Sequence, residues 1–123
     1  MDESILTSVK KMLGISEEYT NFDTDLIIHI NSVLSVLTQL GVGPEAGFSI
    51  SDKTAKWTDW LTVTPTIEMV KSYVYLKVRK IFDPPSNSAL AESMDHLISE
   101  LEFRLYVVTD PIKATETTTS EEG

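Results

Sequence analysis

Apolar residues recur along this chain at helical spacing in four stretches, separated by polar or glycine-rich punctuation. The strongest is Thr64–Pro85, TPTIEMVKSYVYLKVRKIFDPP. Ile67, Val70, Val74, Val78 and Ile81 step by three and four, and Met69, Tyr73, Leu76 and Phe82 widen the stripe. Both ends are marked. Thr64 suits a helix cap, and Pro65 suits the first helical position, where no N–H is needed. Pro84-Pro85 stops the helix because the residue before a proline is pushed out of the helical region. A helix apolar on two sides predicts a central core element. Its remaining face carries Lys71, Lys77, Arg79 and Lys80.

Three other helices are expected around it. Glu3–Leu13 has an apolar side of Ile5, Leu6, Val9, Met12 and Leu13, and Gly14 follows where a left-handed residue ends a helix. Asp23–Leu40 has Asp23 as its expected N-cap and Asp25 at the positive end of the helix dipole. Its seam runs Leu26, Ile30, Val33, Leu37, Leu40 and stops at Gly41. Burying those five side chains is worth roughly 7–15 kcal/mol before entropy is subtracted. Ile27, Ile28, Leu34 and Val36 lie outside the seam, which predicts more than one neighbour, from the same chain or another subunit. The last helix, capped by Ser86 or Ser88, runs to about Tyr106. Leu90, Met94, Leu97, Leu101 and Leu105 form its stripe, thickened by Ile98. The short connection at Pro84–Ser88 predicts that it folds back antiparallel on the central helix. Its other side shows Glu92, Asp95, Glu100 and Glu102, an acidic face suited to the basic face of the central helix, within a subunit or between neighbours.

Gly41–Lys53, with Gly41, Gly43, Gly47 and Pro44, predicts a true loop. Within it Phe48-Ser49-Ile50-Ser51 alternates apolar and polar, so a short extended piece is expected, with another copy of the chain as one source of a pairing edge. Thr54–Leu61 predicts a short helix placing Trp57 and Trp60 on one side. Two readings stand: the tryptophans cap the core, or they anchor a contact between subunits, where aromatics dominate. The expected fold class is all-α, four to five helices in a small bundle with one long glycine-rich loop. A helical domain spans 1–110, and an acidic Thr/Glu-rich tail, expected to be disordered, spans 111–123.

Charge sharpens this picture. The 123 residues fit one domain and carry a net charge of −9. The Thr64–Pro85 stretch holds four of the ten basic residues and two of the nineteen acidic ones, leaving six basic against seventeen acidic elsewhere, a net −11. That opposes a general phosphate-binding surface. The absence of cysteine excludes disulfides, thiolate metal sites and a thiol nucleophile. The N-terminus, MDESILTSVK, has acid where a signal peptide needs base, and no apolar run approaches the roughly 20 residues that span a bilayer. No membrane association is expected, and the cytoplasm is the expected place of synthesis.

Catalytic patterns do not emerge. His29 and His96 both lack the Glu-x-x-His spacing of a bundle di-metal site. There is no phosphate-cradling glycine loop, no dinucleotide fingerprint and no nucleophile elbow. The expectation is a protein that is not an enzyme, with no cofactor and no metal.

The ordered series ILTSVKKMLGI, FDTDLIIHINSVLSVLTQLGVGP, GFSI and VKSYVYLKVRKIFDPP resembles the head–tail connector proteins of long-tailed bacteriophages, also called adaptor or head-completion proteins, over Ile5 to Arg104. The resemblance implies a mainly helical protein that assembles as a ring, typically dodecameric, below the portal of a DNA-filled head. Such a ring extends the DNA channel, lets DNA pass without specific binding, and presents a surface to the next neck or tail-completion protein. No catalytic residues carry over. Two other readings stay open: a small acidic adaptor or regulatory module binding a single partner protein, and a nucleic-acid-associated protein reading through Lys71, Lys77, Arg79 and Lys80.

The expected subunit or neck interface comprises Phe48 and Ile50 of the loop, Trp57 and Trp60, the basic residues Lys71, Lys77, Arg79 and Lys80, and the acidic Glu92 and Asp95. On this reading Phe48→Asp blocks particle assembly while the helical circular dichroism signal stays intact. Normal particle formation by that variant would refute the loop's role.

Overall fold

The computed structural model describes residues 4–61 and 64–109. The tail expected at 111–123 lies outside the described residues. Five helices follow in chain order: α1 (Ile5–Met12), α2 (Asp23–Gln39), α3 (Trp57–Trp60), α4 (Thr64–Phe82) and α5 (Ser88–Thr109). Among the described residues there is no strand, only an isolated antiparallel bridge between Ser4 and Lys56. The expected all-α bundle is therefore what forms.

Local chemistry explains the boundaries. The Ser4 side chain accepts from the Thr7 N–H at 2.9 Å and starts α1. Both glycine stops form the same double bond pattern. After α1, Gly14 (φ +80°) donates to the Lys11 carbonyl at 3.1 Å, and Ile15 donates to Lys10 at 2.8 Å. After α2, Gly41 (φ +94°) donates to Thr38 at 3.0 Å, and Val42 donates to Leu37 at 2.9 Å. A left-handed residue is what lets the chain turn back onto those orphan carbonyls, so glycine is required at both positions.

α4 is the centre of the bundle. α2 packs on one flank of it and α5 on another, while α1 packs on both α2 and α4. Val70, Tyr73, Val74 and Val78 are fully buried, as are Leu26, Ile30, Leu34 and Leu37 of α2. Two polar contacts set the register of α5. Lys80 pairs with Asp95, and the Tyr73 hydroxyl donates to Glu102 at 2.7 Å. Seven residues back along α4 thus correspond to seven residues forward along α5, the antiparallel arrangement expected from the short Pro84-Pro85 connection.

Several boundaries and faces differ from expectation. Asp23 is not the N-cap of α2. Phe22 holds that position without a side-chain cap, and the Asp23 carboxylate instead forms an ion pair with Lys10 of α1 at 2.9 Å. Neither Ser86 nor Ser88 caps α5. Asn87 does, accepting from the Leu90 N–H at 3.0 Å. α3 is a single turn, shorter than Thr54–Leu61, and α5 runs three residues past Tyr106. Leu90 and Leu97, expected in the buried stripe, are exposed, because α5 has one main neighbour and that neighbour covers only the line of Met94, Ile98 and Leu105. Ile81 is also exposed. Phe22 packs edge-on against Phe82 at 5.1 Å, so α2 only begins at the level of α4's last turn and offers Ile81 little cover.

The Lys10–Asp23 pair holds α1, α2 and their connector together. The Lys10 side chain is 3% exposed, and its ammonium also donates to the Glu17 carbonyl at 2.9 Å. A charge so deep persists only when its partners are supplied. Lys10→Met keeps the packing but strands the Asp23 carboxylate. It is expected to cost about 3 kcal/mol, read as a lower urea midpoint, with faster amide exchange in residues 13–22 than along α4 and α5.

Candidate functional site

The Gly41–Ile50 loop closes over the aromatic side of α3. Phe48 stacks on Trp60 with ring centroids 5.8 Å apart and planes 14° from parallel. Gly43 (φ +79°) lies so close to the indole edge that a Cβ there would come within 2.2 Å of Trp60 Nε1. Two separate constraints, the backbone conformation and the contact, therefore demand glycine. That approach leaves the buried Trp60 N–H without an acceptor among the described residues. Trp57, 6.5 Å away, donates its indole N–H to the Ser8 hydroxyl of α1 at 2.9 Å.

Asn31 of α2 holds the far end of the loop. Its amide N–H₂ donates to the Ile50 carbonyl at 2.9 Å, and its amide oxygen accepts from the Ile50 N–H at 2.8 Å. One side chain thus supplies both bonds that a neighbouring strand would give. The expectation that Phe48–Ser51 pairs with an edge in another copy is corrected here for Ile50, whose backbone groups are satisfied within the chain. Ile50, Trp57 and Trp60 are buried in the chain's own core, and Phe48 is half-buried against it. Substitution of Phe48 therefore also strips the cover from Trp60.

The basic face of α4 is likewise occupied. The Lys71 ammonium lies 5.9 Å from the centroid of the Trp57 ring and 3.5 Å from Glu68. Lys77 sits 5.9 Å from the centroid of the Tyr73 ring. Arg79 donates to the Tyr75 hydroxyl at 3.1 Å, and Lys80 pairs with Asp95. The acidic side of α5 thus meets the basic side of α4 within one subunit at the Lys80–Asp95 pair. Glu92 stays exposed, with no ion pair among the described residues. Asn31 and Ser8 were not singled out from sequence, and Tyr73 was named only as part of the apolar stripe of the central helix. An asparagine beside a helical seam carries a readable signal, since it is a poor helix former there unless its amide has work. Ser8 and Tyr73 carry none.

Described residues line two open concavities. A polar cleft of about 390 Å³ lies between α2 and the loop, lined by Asn31, Ser35, Thr38, Gln39, Phe48 and Ser49 among others. An apolar groove of about 340 Å³ lies along the α4–α5 seam, lined in part by Met12, Tyr75, Leu76, Leu97, Leu101 and Arg104. Among the described residues no three His, Asp or Glu side chains gather where they could hold a metal ion, and no helix is long and apolar enough to cross a membrane.

Comparison with known proteins adds a family. A family model described as phage connector protein matches residues 5–111. No curated protein and no solved structure shows significant similarity to the chain.

The Tyr73–Glu102 contact has a pH signature. Burial, and then the Glu102 carboxylate, raise the Tyr73 phenol above its ordinary value of 10.0. In the unfolded chain the phenol ionises near that value, while in the fold it keeps its proton. The folded form therefore binds more protons above pH 10, and stability falls there as pH rises. Tyr73→Phe is expected to cost about 1.5 kcal/mol at neutral pH through the lost hydrogen bond, and to flatten the decline in urea midpoint between pH 9.5 and 11. An unchanged alkaline slope would refute this assignment.

Proposed function

This chain belongs to the phage connector protein family, a component of the virus particle that contacts other head or tail proteins, and from that premise we propose that it is a structural subunit of the phage neck. In this reading several copies, twelve in the expected case, form a ring between the portal and the tail or next neck protein. The ring extends the DNA channel and carries out no chemical step. The observation that carries the reading is the match over residues 5–111, which takes in every described helix.

The charge distribution supports it. Nineteen acidic residues against ten basic ones leave the chain at a net charge of −9. A wall of that sign repels phosphate and lets DNA slide without sticking. The net charge of −9 counts against sequence reading or tight DNA binding through Lys71, Lys77, Arg79 and Lys80, since the overall field repels phosphate.

The test is genetic and structural together. Particles made without this chain are expected to package DNA and then fail to join tails, and electron microscopy of complete virions is expected to show its density as a ring beneath the portal. Normal tail joining in its absence, or a stable complex with a protein that is not in the virion and no copy in the particle, would sink the proposal and favour the single-partner adaptor instead.

A further inference from the structure

Resting on the ring reading, we propose that neighbouring subunits meet head to tail, with the outer face of α2 in one copy, centred on Ile28, seated in the α4–α5 groove of the next. The groove is an apolar concavity that the described residues leave uncovered. Leu97 on its wall is 49% exposed and Met12 at its end 37%. Both belong to stripes that elsewhere on the same helices are buried, and a second neighbour is what would complete them. Ile28 is the matching projection. It is 60% exposed and points away from the line of Leu26, Ile30 and Leu37 that packs on α4.

The surroundings of Ile28 suit a close helix approach. Ser32 and Ser35 follow it on the same exposed side, one and two turns on, so no bulky group holds a neighbour off. Charge agrees as well. Asp25, one turn before Ile28, is exposed and has no ion pair among the described residues. The groove carries Arg104, paired with Glu100 of its own helix, and Tyr75, which accepts from Arg79. A guanidinium has five N–H donors, so either arginine can take a second carboxylate without releasing the first partner. α2 and α5 pack on different flanks of α4, so the projecting face and the receiving groove are distinct patches. Contacts between distinct patches repeat from copy to copy and form a ring where the rotation closes, whereas a patch that meets itself stops at a dimer.

The chain has no cysteine, so single-cysteine variants give an unambiguous map. Ile28→Cys and Leu97→Cys are prepared separately as full-length protein, checked by circular dichroism, assembled on the portal partner alone or as a mixture, and treated with a short bismaleimide. The expected result is a cross-linked dimer in the mixture and none in either variant alone. Linking of Leu97→Cys to itself would assign a two-fold α5 contact and overturn the proposal, as would rings that link in no combination. Mass measurement of the untreated samples separates the two levels. Rings that do not link refute this contact and leave the ring reading standing. Folded protein that forms no ring on the portal refutes the ring reading, and this contact with it.

Discussion

Two apolar flanks on one 19-residue helix cannot be covered by a single neighbour, and the fold follows from how α4 covers both. α2 lays its seam on one flank and α5 folds back along another, which fixes the two long helices on different sides of a common centre. α1 and α3 then close the end where Trp57, Val9 and Ile5 meet, all at 1% exposure or less. The order of these layers decides which faces are left for other molecules. The uncovered ones are the outer face of α2, the far flank of α5 and the seam between α4 and α5.

Buried polar groups hold this arrangement in one register. Lys10 bridges α1 to the start of α2, Asn31 binds Ile50, Trp57 reaches Ser8, and Tyr73 reaches Glu102. Each spans two elements that apolar packing alone would leave free to slide, because hydrophobic contact is roughly proportional to area and carries little direction. Trp60 differs from these four contacts: its indole N–H is given up to let Gly43 and Phe48 close over the ring. An unpaired buried donor costs on the order of 1–3 kcal/mol, a cost borne by the one segment with three positive-φ glycines, Gly41, Gly43 and Gly47.

For a phage connector protein, the consequence is a division between inside and outside. Cations are spent internally on aromatic rings, a phenol and Asp95, and what faces outward is acidic and, along the groove, apolar. The surplus of apolar residues on α2 is smaller than its sequence implies. Leu34 is fully buried and Ile27 packs on the core, leaving Ile28 as the exposed remainder. Most of its large apolar side chains are covered within the chain, and among the described residues Phe103 and Ile28 are the most exposed of those that are not.

The sequence by itself determined the helices, their glycine stops and the central place of α4, because periodicity, left-handed turns and proline breaks act over a few residues and need no distant partner. It also determined the family, since the order of the motifs is a property of the chain alone. Only the tertiary structure decided which of two equivalent roles each side chain takes. Trp57 and Trp60 suit a core or an interface equally, and burial beneath Phe48 and beside α1 placed them in the core. Asp23 suits a cap, yet Lys10 lies within reach and a charge pair with a buried ammonium outweighs a solvent-side cap. Ile50 suits a strand, yet Asn31, nineteen residues away, supplies both hydrogen bonds. In each case the deciding partner lies far off in sequence, where spacing along the chain carries no information about distance.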